Sequence, residues 1–326
     1  MTYDEALVSV LMYDEDQVRE RARHVGIDPE SAVSFRGDLS RVIDAAISVG
    51  RQWHQFGVEV RSDGDVGAFF DSELLELADA WARGQPQRRV MFVRKRPGIL
   101  LRIESATGEH PDPGIRRREA DQLITDLRQV FASRLAIAPF GVYEPEAGML
   151  GGLPGLTLAH TFFATDSLSV LEYHRQGIRG SRPQLGATEY SLGTLFVVLS
   201  ALTQDRGEHW DVWRRVFALR EDSIGKDVLA TGDSSLAVRA RAWVRSALKN
   251  PPAAASAWSA GGRMMETAQL LSAALREVEA DLEISIRRVL PVWVIHHWNR
   301  MGFDLTVQRI LARLVVDECD PRDSPI

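Results

Sequence analysis

The spacing of hydrophobic and polar positions changes about halfway along the chain. Residues 88–105, RRVMFVRKRPGILLRIES, alternate apolar and polar positions around a Pro-Gly pair, which is typical of a β-hairpin. Residues 136–146, AIAPFGVYEPE, are typical of another strand that leads into a turn. From Gly151 onward, apolar residues recur at helical spacing and strand patterns nearly disappear. The chain therefore predicts an α+β fold that is mostly helical, with a small antiparallel sheet in the N-terminal half and a helical C-terminal half.

Helical spacing also predicts helices before and after the hairpin, over residues 16–24, 39–53, 70–81 and 116–135. We divide the chain into a mixed α/β lobe, residues 1–87, and a second region, residues 88–326. We expect the two to form one compact unit.

The segment PVWVIHHWNRMG, residues 291–302, gathers polar and aromatic side chains near the end of the chain. A proline suits the first turn of a helix and a glycine suits the position after its end, so the segment predicts one short helix or the last part of a kinked one. On that helix Trp293, His297 and Arg300 share a face, whereas His296 points about 100° away from His297. We therefore expect the two histidines to have different surroundings.

These histidines support two interpretations. A near-neutral pKa suits histidine for proton transfer beside an arginine and an aromatic wall, but a core histidine among packed tryptophans explains the same pattern. Adjacent histidines on a helix cannot bind one metal ion together, and no HExxH or Cys/His spacing accompanies them. No dinucleotide, Walker, GxSxG or kinase motif is present, so we expect neither a metal nor a nucleotide cofactor.

Other polar groups lie in the hairpin and in the turn that follows it. Arg94 and Arg102, on the two hairpin arms, suit a carboxylate or peptide carbonyls, although such arginines are often solvated or ion-paired. Tyr143 and Glu146 precede a flexible diglycine, in what is either a site or a plain strand-to-helix turn.

The segment LAHTFFATDS, residues 158–167, supports structural interpretations only. We expect His160 to lie in the core, because its surroundings are apolar at helical spacing. We expect Asp166 and Ser167 to cap the next helix.

Composition excludes several classes of protein. The 326 residues are 45% hydrophobic and 26% charged, with a net charge of -6, which disfavours a general nucleic-acid binder. The single cysteine, Cys319, cannot form an internal disulfide, so we expect a cytoplasmic protein. The N-terminus is unlike a signal peptide, and the longest apolar run, LFVVLSAL, is far shorter than the roughly 20 residues of a membrane span.

Three segments, in this order, resemble the C-terminal, glutamate-eliminating domain of lantibiotic dehydratases and its stand-alone relatives in thiopeptide biosynthesis. They are FVRKRPGILLRI, YEPEAGMLGGLPGLTLAHTFFATDSLSVL and VLPVWVIHHWNRMGFD. Arg94 and Arg102 take the two arginine positions of the family's hairpin, and Tyr143 and Glu146 keep the first half of its turn motif. Met149 stands where that turn usually has an arginine.

The late helix matches the family in part. His297, Asn299 and Arg300 keep the family's positions, and Ile295 stands where a first histidine is usual. The resemblance implies the catalytic candidates His297, His296, Tyr143 and Glu146. It implies the substrate-binding candidates Arg94, Arg102, Trp293, Asn299, Arg300 and Met149.

The departures favour one branch of the family. Methionine cannot bind the carboxylate of a glutamyl ester, which disfavours elimination. The resemblance then implies a cofactor-independent thiopeptide pyridine synthase, which joins two dehydroalanines of a dehydrated, azole-containing precursor and expels water and the leader peptide. Residues 1–87 are the candidate leader-binding region, and a homodimer stays open.

Two alternatives stay open. The first is the glutamate-elimination component of a split dehydratase, which requires another arginine, such as Arg134 or Arg179, to reach the position of Met149. The second is a non-catalytic scaffold that binds the precursor peptide, which predicts packed histidines and a shallow cavity.

Overall fold

The computed structural model describes residues 14–38, 52–85, 87–95, 98–106, 112–131, 134–141, 143–180, 186–221, 238, 240–245 and 261–323. The strands are β1 (Trp53–Glu59), β2 (Val90–Lys95), β3 (Gly98–Glu104) and β4 (Ala136–Pro139). The helices are α1 (Glu15–His24), α2 (Asp63–Phe70), α3 (Leu74–Arg83), α4 (Pro113–Phe131), α5 (Gly152–Ile178), α6 (Ala187–Leu202), α7 (Arg206–Glu221), α8 (Gly261–Val278), α9 (Ile286–Met301) and α10 (Leu305–Cys319). The predicted α+β fold, with its small sheet and helical second half, is confirmed.

The sheet has the order β2-β3-β1-β4, and every neighbouring pair is antiparallel. The predicted hairpin is formed by β2 and β3. At its turn, a side chain on Gly98 would place its Cβ 2.3 Å from the carbonyl oxygen of Val58 on β1. Glycine is therefore required there, because the hairpin tip lies against the neighbouring strand.

The central strand β1 is where the helical prediction over residues 39–53 ends. Residues 39–51 lie outside the described part of the chain, but Trp53 begins a strand, so the prediction is wrong at that residue. Both Trp53 and His54 are buried although they point to opposite faces, so the sequence of β1 lacks a regular alternation of polar and apolar residues. Because β1 is hydrogen-bonded between β3 and β4, residues 1–87 and 88–326 share one sheet.

The strand register places the two hairpin arginines on opposite faces of the sheet. Arg102 pairs with Met91 and Gln55, so these three side chains share one face. Arg94 pairs with Ile99, three positions from Arg102 along β3, and therefore points to the other face. The two arginines cannot bind one group together from the sheet.

Each face of the sheet packs against its own hydrophobic core. The face of Arg102 joins a core that includes Trp53, Met91 and residues of α5 to α10. The other face joins a core that includes Phe92 and residues of α2, α3 and α4. The long helix α5 contributes its first half to one core and residues such as Leu171 to the other, so it fixes both cores relative to the sheet.

Several local predictions need correction. Asp166 and Ser167 cap no helix, because α5 continues past them to Ile178 and both are fully buried. The helix predicted over residues 70–81 is interrupted after α2, where the Ser72 hydroxyl accepts a hydrogen bond from the N–H of Leu74.

The segment predicted as a short helix or the last part of a kinked one is the last part of a longer helix, α9. Pro291 lies inside α9, which begins at Ile286, and not in a first turn. The helix tolerates it because the carbonyl that loses its N–H partner belongs to Arg287, an exposed residue at the helix start. Gly302 ends α9 with a φ of 80°, as predicted.

A buried carboxylate joins α4 to the sheet. Glu119 accepts hydrogen bonds from Ser105 Oγ at 2.7 Å and the N–H of Ala106 at 2.7 Å, and it lies 2.9 Å from His54 Nε2. Burial alone would raise the pKa of Glu119, but these hydrogen bonds and nearby Arg88 outweigh it and hold the pKa well below its usual value.

We expect Glu119→Gln to lower the free energy of unfolding by about 2 kcal/mol at pH 7. A depressed pKa in the folded state means that the carboxylate stabilises the fold above its unfolded pKa, about 4.3, and loses this effect as the pH falls below it. The difference between wild type and variant should therefore shrink below about pH 4 in urea unfolding curves. If the difference in unfolding free energy between wild type and Glu119→Gln stays constant from pH 7 to pH 3, the pKa of Glu119 is not depressed in the folded protein. The exposed ion pair of Glu59 with Arg61 provides the control, and Glu59→Gln should change stability little at any pH.

Candidate functional site

A fully buried carboxylate lies where α5, α6 and α9 meet. Asp166 Oδ1 is 2.6 Å from His297 Nδ1, and Asp166 Oδ2 accepts a hydrogen bond from Arg300 Nη1 at 2.9 Å. His297 Nε2 lies 3.0 Å from the hydroxyl of Ser191. Burial alone would raise the pKa of Asp166, but His297 and then Arg300 hold it below its usual value. We call Asp166, Ser191, His297 and Arg300 the Asp166 network.

The Asp166 network also holds the free edge of the sheet. Arg300 Nε donates to the carbonyl of Phe92 on edge strand β2 at 2.9 Å. The N–H of Phe92 donates to the Ser167 hydroxyl at 3.1 Å, and this hydroxyl donates to the carbonyl of Phe163. Side chains of α5 and α9 thus satisfy the backbone groups that an edge strand would otherwise leave unpaired.

Ser191, His297 and Asp166 have the connectivity of a hydrolase triad. Each is fully buried, with 0% of its surface exposed, and the imidazole has a partner at both nitrogens. No substrate reaches a nucleophile in this position, so the geometry supports the structural interpretation of His297. Its predicted role in proton transfer stays a prediction that this placement disfavours.

A second group of polar side chains lies on the Arg102 face of the sheet. The Tyr143 hydroxyl is 2.8 Å from His160 Nε2, and the guanidinium carbon of Arg102 lies 4.1 Å from the centre of the Tyr143 ring. Arg102 Nε donates to Gln55 Oε1 at 2.7 Å, and the Trp53 ring lies 4.9 Å from the His160 ring. We call Trp53, Arg102, Tyr143 and His160 the Tyr143 cluster.

His296 lies between the Asp166 network and the Tyr143 cluster. Its ring lies 4.9 Å from the Phe163 ring, and the guanidinium carbon of Arg300 lies 4.6 Å from the centre of the same ring. Burial, and then the charges of Arg300 and Arg102, lower the pKa of His296 to about 3. The imidazole is therefore neutral near pH 7, and it is half-buried, unlike His297.

Two buried polar atoms beside Phe163 have no hydrogen-bond partner within the described residues, namely His296 Nδ1 and Arg300 Nη2. Buried polar atoms are normally paired, so unpaired ones deserve a functional explanation. Arg300 Nη2 can only donate a hydrogen bond, whereas an unprotonated His296 Nδ1 accepts one.

Several of the predicted site residues lie near Tyr143. Burial raises the pKa of Tyr143, and the charge of Glu146 raises it further. The charges of Arg102 and Arg300 lower it. All three charged side chains are therefore within electrostatic reach of the phenol. Glu146 and Met149 are exposed in the turn before α5, and 54% of the Met149 surface is accessible. The structure thus brings Tyr143, Glu146, Arg102 and His296 to one region.

The remaining candidates have structural partners. Trp293 is 1% exposed and stacks on Phe162 with ring centres 4.9 Å apart. Asn299 accepts a hydrogen bond from Gln308. Arg94 Nε, on the far face of the sheet, donates to the carbonyl of Arg300 at 2.9 Å. This places a cation at the C-terminal end of α9, where it is favoured.

Sequence reasoning missed the partners of the site. His160 is buried, as predicted for a core residue, but its hydrogen bond to Tyr143 was not predicted. His160, Phe163 and Ser167 recur at i, i+3 and i+7 on α5, a spacing that places them on one face and was available in the sequence. Arg220, on α7, was not singled out, yet its charge lowers the pKa of His296 and its Nε has no partner within the described residues.

Within the described ranges no group of three or more His, Cys, Asp or Glu side chains is arranged to hold a metal ion. In the same ranges no helix is both long and apolar enough to cross a membrane.

We expect Asp166→Ala to lower the free energy of unfolding by about 3–5 kcal/mol, because it leaves the Arg300 charge buried without a counter-ion. Chemical unfolding measures the change. Asp211→Ala removes a carboxylate from a partly exposed pair with Arg215 and should cost less than about 1 kcal/mol. Equal losses in the two variants would show that the Asp166 network contributes little to the fold.

The fold resembles solved structures that share little sequence with it. The tRNA-dependent lantibiotic dehydratase MibB from Microbispora sp. 107891 matches at 16% identity with a TM-score of 0.56, over 84% of this chain and 29% of MibB. This chain therefore spans less than a third of MibB.

Two further structures match at 15% identity over 82% of this chain. The pyridine synthase TbtD from thiomuracin biosynthesis has a TM-score of 0.46 over 97% of its length. TsrL has a TM-score of 0.47 over 96% of its length. No curated protein sequence matches the chain.

Residues 53–318 match the family model described as lantibiotic biosynthesis dehydratase C-term. This range covers most of the chain and includes the sheet, the Asp166 network and the Tyr143 cluster. The protein therefore belongs to the family of lantibiotic biosynthesis dehydratase C-terminal domains.

Proposed function

We propose that the protein is a thiopeptide pyridine synthase that acts on a dehydrated, azole-containing precursor peptide. The observation that carries the proposal is the side chain of Met149, which lies in the turn before α5 and is 54% exposed. An enzyme that eliminates glutamate binds a substrate with a free carboxylate, and a thioether makes no charge-assisted hydrogen bond to an anion. A pyridine synthase binds a neutral dehydropeptide and does not need a cation at this position.

Neither candidate arginine supplies the cation that Met149 lacks. Arg179 Nε lies 3.0 Å from Asp71 Oδ1, and Arg134 Nη1 lies 3.8 Å from Asp71 Oδ2. Arg179 follows the end of α5 and Met149 precedes its start, so the helix separates the two by about 40 Å. Asp71 holds Arg134 in the same distant place.

The three arginines that match the family motifs are also unsuited to bind a carboxylate as a pair. Arg300 is paired with Asp166, and Arg94 lies on the opposite face of the sheet. Within the described residues Arg102 has no carboxylate partner at ion-pair distance, and one guanidinium over an aromatic ring suits the polarisation of a neutral carbonyl.

The proposed reaction needs proton transfers and no oxidant. The amide that precedes one dehydroalanine becomes its iminol tautomer, whose C=N–C=C atoms form two carbon–carbon bonds with the C=C of the other dehydroalanine. Water then leaves from the iminol carbon. The leader peptide leaves as its carboxamide from the former α-carbon of the other dehydroalanine, which carries the leader's amide nitrogen. A ring methylene supplies the proton for each departure, so atoms and electrons balance and the product is a pyridine.

The residues of this region suit these steps. Arg102 polarises the reacting amide carbonyl, and the Tyr143 hydroxyl and the neutral His296 exchange protons with it. Arg300 is fully buried and paired with Asp166, so it acts on these groups through its charge, and Glu146 lies at the exposed rim. Holding the two dehydroalanines together in one orientation supplies much of the rate enhancement, on the order of several kcal/mol.

Residues 1–87 remain our proposal for the leader-binding region, and the part of this range that includes α1 precedes the family match, which begins at residue 53. A helix or an extended segment of the leader suits a groove on such a lobe.

Two observations favour other functions. The fold likeness to MibB favours a glutamate-elimination component of a split dehydratase. The packing of His297 and Trp293 favours a non-catalytic scaffold that binds the precursor peptide. One pair of substrates distinguishes all three functions.

We expect a precursor with two suitably spaced dehydroalanines to yield a macrocycle and a separate leader carboxamide. We expect a precursor with a glutamylated serine to be recovered unchanged, because its carboxylate would enter the site unpaired, at a cost of roughly several kcal/mol. Mass spectrometry of both mixtures, with EDTA and no nucleotide, measures the outcome. Release of glutamate would establish elimination, and binding without conversion of either peptide would establish a scaffold.

We expect His296→Ala to reduce turnover at least tenfold while the melting temperature stays close to that of wild type, because the side chain is half-buried and its Nδ1 has no partner within the described residues. His297→Ala should lower the melting temperature by several degrees, because it breaks two buried hydrogen bonds. Equal loss of turnover in both variants, with stability unchanged, would contradict this division.

A further inference from the structure

The Tyr143 hydroxyl is held by a single buried side chain that the sequence assigned to the core. We propose that His160 is a positioning residue that fixes the Tyr143 hydroxyl for proton transfer with the bound peptide. This inference rests on the proposed function, because it assigns Tyr143 to the reacting centre.

The contact itself restricts the phenol. The Tyr143 oxygen and His160 Nε2 are 2.8 Å apart, and the two residues are 6% and 3% exposed. A phenol hydroxyl otherwise rotates about its C–O bond. The hydrogen bond to His160 removes that freedom, whichever of the two atoms carries the shared proton. The oxygen can then form its next hydrogen bond in one direction.

His160 is itself held on two sides. It lies on α5, the 27-residue helix that joins both hydrophobic cores. Its ring lies 4.9 Å from the Trp53 ring on β1, and Arg89 lies over the same indole with its guanidinium carbon 5.5 Å from the ring centre. A rigid helix and a central strand therefore set the position of the imidazole, as accurate positioning of a reacting group requires.

The imidazole adds no charge to the site. Burial, and then Arg89 and Arg102, lower the pKa of His160 to about 3. Neutral imidazole has one donor and one acceptor nitrogen, so it bonds to a phenol in either proton arrangement. An apolar side chain at this position would leave the Tyr143 hydroxyl buried without that partner, and a lysine would bring a further cation close to Arg102.

The other contacts of Tyr143 leave its orientation to His160. Arg102 lies over the face of the ring and is bonded through Nε to Gln55. Trp53 meets the Tyr143 ring edge-on, with ring centres 6.3 Å apart. These contacts position the ring, and the bond to His160 is the one that acts on the hydroxyl within the described residues.

The test is a double-mutant cycle in turnover of the dehydrated precursor. We expect His160→Leu to lower kcat about tenfold with KM changed less than about twofold, as expected for a lost hydrogen bond that acts in the reaction. The same substitution in Tyr143→Phe should lower kcat less than about twofold, because the group that His160 holds is already absent. His160→Gln keeps a donor and an acceptor and should recover most of the lost rate. Equal losses in both backgrounds, or a Gln variant no faster than the Leu variant, would overturn the proposal.

His209→Leu is the matched control. His209 is also a buried helical histidine, but it packs on Phe196 and its Nε2 has no hydrogen-bond partner within the described residues. It should change stability and leave the coupling between His160 and Tyr143 intact. Loss of that coupling in the His209→Leu background would mean that general destabilisation explains the cycle.

A substrate-free measurement separates this inference from the proposed function. Absorbance titration of the wild type against Tyr143→Phe isolates the ionisation of Tyr143 in the presence of Arg102, Arg300 and Glu146, the charges that act on the phenol. His160→Leu should shift the midpoint, and His160→Gln should shift it less. If the wild type does not convert the precursor, the proposed function fails, and the titration alone then tests the contact. An unchanged midpoint in His160→Leu would overturn it.

Discussion

The fully buried carboxylate of Asp166 is the constraint on which the arrangement of sheet and helices depends. An ionised carboxylate inside a protein costs several kcal/mol unless it is paired and hydrogen-bonded, and both of its partners, His297 and Arg300, come from α9. Helix α9 must therefore lie against the middle of α5 at one register. Arg300 then reaches the carbonyl of Phe92, so the requirement for charge compensation also fixes the edge strand of the sheet.

The candidate site depends on the same helix. His160 and Phe163 lie on α5 about two turns and one turn before Ser167, so the register that pairs Asp166 with α9 also sets His160 against Trp53 and brings His296 to the Phe163 ring. Substitutions in the Asp166 network can consequently change the geometry of the Tyr143 cluster and of His296. This dependence explains why a buried ion pair, which often contributes little net stability, is useful here for the position it imposes.

Local patterns in the sequence were sufficient for much of the fold and for part of the site. The hairpin and the helical second half follow from alternation around Pro97-Gly98 and from helical spacing after Gly151, and both are confirmed. The separation of His296 from His297 follows from helix geometry alone. What the sequence could not supply depends on contacts between distant residues. Trp53 starts a strand because it pairs with Glu104 of β3, and Asp166 is buried because Arg300, 134 residues away, neutralises it.

Arg94 and Arg102 point to opposite faces of the sheet, so the strand register decides which of them lies at the candidate site. Both match the family's hairpin, but the strand alternation sends Arg94 to the end of α9 and leaves Arg102 over Tyr143. The region around Arg102 therefore combines several arginines with a phenol and two imidazoles, and burial keeps the latter three neutral near pH 7. Neutral donors and acceptors suit a substrate whose own charge does not change as its bonds rearrange. Arg300 is already neutralised by Asp166, so the cations left to meet a carboxylate in this region include Arg102, on β3, and Arg220, on α7. The neutral dehydropeptide of the proposed function needs neither as a counter-ion.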